Sequence, residues 1–458
     1  MCCPPGKDTG VGDPMGCRRP YLVLGGILLL GMALRLYRLE AQSIWADEYF
    51  LTVFFGAPNT RTFLGLARFW SPDVMPLGYT FLYWWGNLFA PGSFVAWRLA
   101  PVAVSLICIP LVWLLGREAH SNRAGLVAAM LLALSPVHIW VGQSIRPNAF
   151  LELYALVSLY ALLRGLRTGN IRWWVLHLSA NILLVWTHIF MVFLIAAEGT
   201  FLMLLLILER RHTVLWWSSV MLGVLFPSFL WLKESLANVS TAEDDFIMQI
   251  PPFLNLIADW IADDAVRYSE PFLFQGETWP FLTGRFRDAF VANHAYFDAA
   301  LFVFFGTCLL FEVWASISSS ISMRKDEQGR TRRAIPAMPL FVSVAVLPLA
   351  FMLLASLVWR PCIQPRYTSY CSLAMYVVAG TALASLGWRR LRAAILALLF
   401  LVYAYQLSFL LPAATRTDWL GADRYIGESA RPGDVVLVKG TCIAWESYEF
   451  NARSTHVP

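Results

Sequence analysis

Apolar runs of about 20 residues recur along this chain and constrain its fold more than any other feature. A helix of that length crosses the hydrocarbon core of a bilayer and satisfies its backbone hydrogen bonds internally. Of the 458 residues, 58% are hydrophobic and only 14% are charged, whereas about a quarter of an average soluble domain is charged. The sequence therefore predicts an all-α polytopic membrane protein.

Eleven of these runs are candidate transmembrane helices. The fifth and sixth meet tightly at Thr187-His188, so the count is open at that point. The candidate spans cover residues 20–38, 94–115, 124–141, 148–164, 172–187, 189–208, 213–232, 296–318, 336–358, 367–387 and 393–411.

Positive charge predicts the orientation of these spans, since cytoplasmic loops are enriched in Lys and Arg. With the N-terminus inside, every inner segment is basic, and the two long outer loops cover residues 39–93 and 233–295. Aromatic and amphipathic stretches in the first outer loop are typical of helices that lie in the membrane plane. The inner basic residues are Lys7, Arg18, Arg19, Arg117, Arg123, Arg164, Arg167, Arg172, Arg210, Arg211, Arg324, Lys325, Arg330, Arg332, Arg333, Arg389, Arg390 and Arg392.

Three parts follow from this topology: a cytoplasmic N-terminal tail (1–19), a transmembrane domain (20–411) and a short extracytoplasmic α/β tail (412–458). The net charge of +5 is spread over scattered arginines, which predicts no nucleic-acid partner. The eight cysteines show no CxxC or metal-ligand spacing, so no disulfide framework is implied.

Asp47 and Glu48 form an acid pair directly after the first span, on the predicted outer side. One interpretation is a solvated helix end, because surface carboxylates are common. The other is catalysis, because a carboxylate at the interface can take the proton of an acceptor hydroxyl. We predict a catalytic role for this pair.

The outer end of the third span is dense in groups that bind hydroxyls and phosphate, namely His138, Gln143 and Arg146. A histidine here could instead be a packing residue, and an arginine could reach lipid headgroups. Glu152, near the outer end of the fourth span, is expected to pair with Arg146. Glu198 lies deeper in a span and has no predicted role, although acids inside membranes are usually functional.

Two later outer segments add further candidates. His188 lies at the turn between the fifth and sixth spans, where a tight turn needs polar residues in any case. Arg366 and Tyr367 precede the tenth span, and an arginine on an outer loop departs from the positive-inside trend. An anionic ligand would explain that departure, since a guanidinium binds phosphate through two parallel hydrogen bonds. We predict that both segments bind substrate.

Together these motifs resemble bacterial membrane glycosyltransferases of the GT-C superfamily, in particular those akin to protein O-mannosyltransferases and to the aminoarabinose transferase that modifies lipid A. The residues that carry the resemblance are the stretch 43–48 after the first span, the segment 135–147, Thr187-His188 and Arg366-Tyr367. The tail from Asp418 to Asp434 also resembles the start of the outer domain of these proteins.

The resemblance implies an inverting hexosyl- or pentosyltransferase of the cell envelope. Its donor would be a sugar on a polyprenyl phosphate at the outer face of the inner membrane, and its acceptor a lipid, a glycan or a protein. By that analogy Asp47 is the base, while Arg366, with Arg146 as a second candidate, holds the lipid phosphate. Whether a divalent metal takes part stays open, because no ligand cluster is visible in the sequence.

One departure from the family pattern affects this interpretation. Many relatives carry Gln-Glu-Ala-Arg-Pro where this chain has Gln143-Ser144-Ile145-Arg146-Pro147, so a second carboxylate is missing at Ser144. If that acid orients the acceptor or a metal in relatives, either Glu48 or Glu152 does so here, or this protein recognises another acceptor. Two alternatives therefore stand beside the enzyme: a non-catalytic subunit that binds polyprenyl-linked glycans, and a transporter or flippase that uses Glu152 and Glu198.

Overall fold

The computed structural model of the chain describes residues 14–40, 48, 55–70, 75–88, 93–209, 226, 228, 301, 303–316, 337–358, 368–411, 425, 426, 428 and 429. Its regular elements are helices, and a 3₁₀ helix (Ile189–Met191) joins α8 to α9. The helices are α1 (Pro14–Leu36), α2 (Thr60–Trp70), α3 (Pro76–Leu88), α4 (Phe94–Ala119), α5 (Asn122–Leu134), α6 (Pro136–Gly142), α7 (Asn148–Thr168), α8 (Ile171–Thr187), α9 (Val192–Glu209), α10 (Val303–Ser316), α11 (Met338–Val358), α12 (Ser369–Ser385) and α13 (Arg389–Leu410).

The prediction of a multi-pass helical membrane protein is confirmed, but the count of eleven spans is not. By length and apolar composition, six of the described helices could cross a membrane, and seven if α5 and α6 form one bent span. The helices α10 and α12 are apolar but shorter. The predicted span 213–232 and the tail 412–458 lie almost wholly outside the described residues.

The predicted third span is broken in the middle. Helices α5 and α6 meet at an angle of 64°, because Pro136 has no N–H to offer the carbonyl of Leu132. The buried guanidinium of Arg35 on α1 replaces the missing donor: Nη2 lies 3.2 Å from Leu132 O, and Nη1 lies 3.2 Å from Ala133 O. Arg35 thereby satisfies the carbonyls that the break leaves without helical partners.

Small residues bring the central helices close together. A Cβ on Gly125 of α5 would collide with Trp113 O of α4, and one on Gly380 of α12 would collide with Ala124 O of α5. From Ser369 to Leu383 every residue of α12 is buried. Helix α12 therefore runs through the middle of the bundle, packed against α4, α5, α7 and α11.

The two ends of the bundle differ in chemistry. At one end Arg164 and Arg167 of α7 bind the carboxylate of Glu118, at 3.1 and 3.0 Å, and His120 contacts Ser385 at the end of α12. This is the arginine end. The opposite end contains the first predicted outer loop and is called the Glu48 end. The described basic junctions thus share one end, as the charge pattern predicts.

Helices α2 and α3 lie within the first predicted outer loop and have a small apolar core of their own. Phe63 and Tyr83 stack with ring centroids 4.5 Å apart, and the core continues onto Trp97 of α4 and onto Ile145 and Phe150. The indole N–H of Trp85 donates to Ala96 O at 2.8 Å. These contacts fix α2 and α3 on the Glu48 end of the bundle.

Candidate active site

Glu48 is fully buried and connects three separate parts of the chain. Its Oε1 accepts a hydrogen bond from the backbone N–H of Ile145 at 2.6 Å, and its Oε2 lies 3.5 Å from Nη2 of buried Arg98. Arg98 also donates from Nη1 to Leu39 O at 2.8 Å. Both oxygens are therefore engaged, and they hold the first outer loop beside the residue that precedes Arg146.

Gln143 fixes the exit of the chain from α1. Its side-chain Nε2 donates to Arg35 O at 3.1 Å and to Tyr37 O at 3.2 Å. The next residue of the exit, Arg38, has φ 49°, the left-handed position at which helices commonly end. Ser144, where relatives carry an acid, donates back to Trp140 O at 2.8 Å within its own turn. Gln143 thus contacts the peptide groups that lead toward Asp47 and Glu48.

Helix α3 brings the predicted Arg146 and His188 segments together. A Cβ on Gly78 would lie 2.6 Å from Thr187 Cγ2 and 2.7 Å from Pro147 Cβ, so only glycine permits this approach. One residue further, the ring of Tyr79 lies beneath the guanidinium of Arg146, with Cζ 5.6 Å from the ring centroid. The half-buried Arg146 is thereby held at the Glu48 end by an aromatic face.

His188 is the one extended residue between α8 and the following 3₁₀ helix. Its Nδ1 accepts a hydrogen bond from the backbone N–H of Phe190 at 3.3 Å. A neutral His188 ring therefore carries its proton on Nε2. The side chain is 7% exposed and caps the short helix that begins α9.

The structure corrects the predicted partner of Glu152. Its Oε1 lies 2.9 Å from Nδ1 of His138, not against Arg146. Both side chains are fully buried, and Nε2 of His138 contacts Ser372 Oγ of α12 at 2.8 Å. The acid is displaced from Arg146 because it lies on the buried face of α7, one turn inside Asn148. His138 and Glu152 therefore lie below the Glu48 end, inside the bundle.

Asp47, Arg366 and Tyr367 lie outside the described residues, so their predicted roles stay predictions. Their neighbours in the chain are described: Glu48 follows Asp47, and Thr368 opens α12 directly after Tyr367. The sequence-based interpretation missed Arg98 and Ser372. A charged residue in the apolar start of α4 was a signal for Arg98, whereas nothing in the sequence distinguishes Ser372 from other serines in spans.

A second buried polar cluster surrounds Glu198. Ser158 Oγ donates to its Oε1 at 2.7 Å, and Asn181 Nδ2 donates to its Oε2 at 3.3 Å. His177 Nε2 lies 3.7 Å from Oε2. This cluster ties α9 to α7 and α8 within the membrane-spanning part. Among the described residues no group of three His, Cys, Asp or Glu side chains could hold a metal ion.

Comparison with known proteins shows which of them this chain resembles. Residues 74–231, less than half of the chain, match the family model for dolichyl-phosphate-mannose-protein mannosyltransferases. The apo structure of ArnT from Cupriavidus metallidurans superposes with a TM-score of 0.52 at 14% identity, covering 96% of this chain and 85% of that one. The chain shares its overall fold with ArnT. The family resemblance expected from the sequence is thus confirmed for the fold.

Two further structures share this fold. ArnT bound to undecaprenyl phosphate gives a TM-score of 0.52 at 13% identity, over 96% of this chain and 85% of ArnT. The oligosaccharyltransferase AglB from Archaeoglobus fulgidus, in complex with an inhibitory peptide and a dolichol-phosphate, gives 0.52 at 16% identity. That match covers 97% of this chain, which spans only 61% of AglB. No curated protein sequence matches the chain.

Proposed function

We propose that the protein is an inverting glycosyltransferase that moves a sugar from a polyprenyl phosphate to a lipid, glycan or protein acceptor at the outer face of the inner membrane. The observation that supports this most is the contact of Glu48 with Ile145, at 2.6 Å. It joins the acid-pair segment to the segment that bears Arg146, so a base and a phosphate-binding cation would lie at the same end of the bundle.

Asp47 is the proposed base. Its carboxylate would take the proton of the acceptor hydroxyl as the oxygen attacks the anomeric carbon, and the bond to the lipid phosphate would break in the same step. Arg366 and Arg146 would stabilise the negative charge that develops on the departing phosphate. Because phosphate is already a good leaving group, this scheme needs no covalent intermediate.

The remaining residues divide between positioning and binding. Glu48 is engaged by Ile145 and Arg98, so we assign it the positioning of Asp47 rather than proton transfer. Gln143, His188 and Tyr367 are proposed to bind substrate near the two arginines. ArnT has been solved with undecaprenyl phosphate and AglB with a dolichol-phosphate, which supports a polyprenyl-phosphate donor for this chain as well.

Transfer of radiolabelled sugar tests the proposal. Membranes from cells that lack the protein would be supplied with wild type or Asp47→Asn, then incubated with a panel of polyprenyl-phosphate sugars. We expect label in one of the lipid, glycan or protein fractions for wild type, and at least a 100-fold loss for Asp47→Asn, the size typical of a lost general base. Thr168→Ala, an exposed change at the arginine end, is the control and should retain full transfer.

Two other outcomes would overturn the enzyme assignment. Binding of a donor without transfer from any donor would favour the glycan-binding subunit, with the acid missing at Ser144 as the reason. Movement of a substrate across the membrane that is lost on Glu198→Gln, with no sugar transferred, would favour the transporter. The buried cluster around Glu198 is the feature that such a transporter would use.

A further inference from the structure

His138, Glu152 and Ser372 form a buried relay between three helices. His138 belongs to α6, Glu152 to α7 and Ser372 to the first turn of α12. Ser372 Oγ donates its hydrogen to Ser369 O at 2.6 Å. It therefore accepts from Nε2–H of His138, 2.8 Å away. The imidazole proton on Nε2 is fixed by this arrangement.

The other ring nitrogen of His138 faces the carboxyl group of Glu152. Nδ1 of His138 and Oε1 of Glu152 are 2.9 Å apart, and two unprotonated atoms would repel at that distance. Their alignment is poor for a hydrogen bond, and neither carboxyl oxygen of Glu152 has another hydrogen-bond partner in the described part of the chain. The contact therefore holds α6 beside α7 without a well-aligned hydrogen bond.

The relay cannot easily reach a substrate. His138 and Glu152 have no exposed side-chain surface, and the ring of Tyr376 packs against the imidazole with centroids 5.6 Å apart. What the relay does contact is the start of α12, and Arg366 lies only two residues before Thr368 in the chain. A change in the relay would therefore alter the helix start that follows the proposed phosphate-binding arginine.

We infer that His138, Glu152 and Ser372 are positioning residues that set the start of α12 for binding of the donor's lipid phosphate. This inference rests on the proposed function, in which Arg366 holds that phosphate. Because Arg366 would contact the phosphate in the ground state and also as its charge develops, losing the relay should raise KM for the donor, and any fall in kcat should accompany that rise.

The chain offers a matched control at the other end of the same helix. His120 Nε2 contacts Ser385 Oγ at 3.0 Å, and Ser385 Oγ donates to Thr381 O at 2.9 Å. This is the same histidine–serine–carbonyl arrangement at the arginine end. Ser385→Ala removes a contact between the same side-chain types, exposed where that of Ser372 is buried, without touching the proposed site.

The test is donor kinetics of the purified full-length protein in lipid nanodiscs. Ser372→Ala should raise donor KM roughly 10-fold, the effect of one lost buried hydrogen bond, and Ser385→Ala should not. His138→Gln keeps a hydrogen-bond donor at the Nε2 position and should leave donor KM near the wild-type value. His138→Phe lacks that donor and should raise donor KM. Glu152→Gln can donate or accept a hydrogen bond toward Nδ1 and should leave donor KM nearly unchanged. Glu152→Ala should raise donor KM.

A double-mutant comparison decides whether the relay acts through Arg366. In an Arg366→Ala background, adding Ser372→Ala should change donor KM less than twofold, since coupled residues are not additive. Equal effects of Ser372→Ala and Ser385→Ala would overturn the inference, as would a loss confined to kcat. If the wild type transfers no sugar from any donor, the proposed function fails before any variant is compared.

Discussion

At the residue scale, the stability of the fold depends on the partners of the buried Glu48 carboxylate. Removing one member of a buried ion pair leaves the other charged and uncompensated, which costs about 3–5 kcal/mol. We expect Arg98→Met and Glu48→Gln each to lower the Tm of the detergent-solubilised protein, and the double variant to lose less than the sum. If the loss of stability in the double variant equals the sum of the two single losses, Glu48 and Arg98 are not coupled through their 3.5 Å contact.

Arg35 has a different task, because it donates to the backbone carbonyls of Gly31, Leu132 and Ala133 as well as to Ser105 Oγ. Arg35→Met leaves Leu132 O and Ala133 O buried without donors, and each unsatisfied group costs about 1–3 kcal/mol. We therefore predict that the free energy of unfolding falls by roughly 2–6 kcal/mol, measured by thermal or denaturant unfolding. Arg19→Met, an exposed change on the same helix, is the control. If Arg35→Met and Arg19→Met have the same Tm, Arg35 does not stabilise the break between α5 and α6.

At the scale of elements, a substitution in α3 tests whether the first predicted outer loop helps to assemble the site. Gly78→Ala places a Cβ 2.6 Å from Thr187 Cγ2 and 2.7 Å from Pro147 Cβ, and such overpacking costs about 1–3 kcal/mol. We expect a lower Tm and weaker sugar transfer, because α3 must move away from the Arg146 and His188 segments.

Gly65→Ala on α2 provides the comparison for that change. Nothing lies within 4 Å of a Cβ at this position, and alanine is the better residue inside a helix by about 0.5–1 kcal/mol. We expect unchanged or slightly raised stability and normal transfer. If both variants behave alike, contact between α3 and α8 does not matter for the site.

At the scale of the whole molecule, the orientation in the membrane remains a prediction from charge. Single cysteines in a background without the eight native ones test it. Pro58, beside α2, and Thr168, at the arginine end, are both exposed positions. In intact cells we expect an impermeant maleimide to label Pro58→Cys and to label Thr168→Cys only after lysis. The reverse pattern would place the proposed site in the cytoplasm.

Much of the architecture was predictable from the sequence, and the outcome differs by element. The apolar runs predicted helices at α1, α4, α7, α9, α11 and α13, because a bilayer span needs a continuous apolar segment. The break between α5 and α6 went unpredicted, although Ser135-Pro136 lies at its centre. A proline in a span often only kinks the helix, and the carbonyls freed at the 64° bend are satisfied by the distant Arg35.

The candidate site, too, was only partly predictable from the sequence. The sequence by itself placed Glu48, Gln143, Arg146 and His188 at one end of the bundle, since residues at the ends of alternating spans must face the same side. It could not determine which side chains touch: Glu48 meets Ile145 and Arg98, and Glu152 meets His138 rather than Arg146. Those contacts join residues from 14 to 97 positions apart (138 to 152 and 48 to 145), and only the packing of helices in three dimensions decides them.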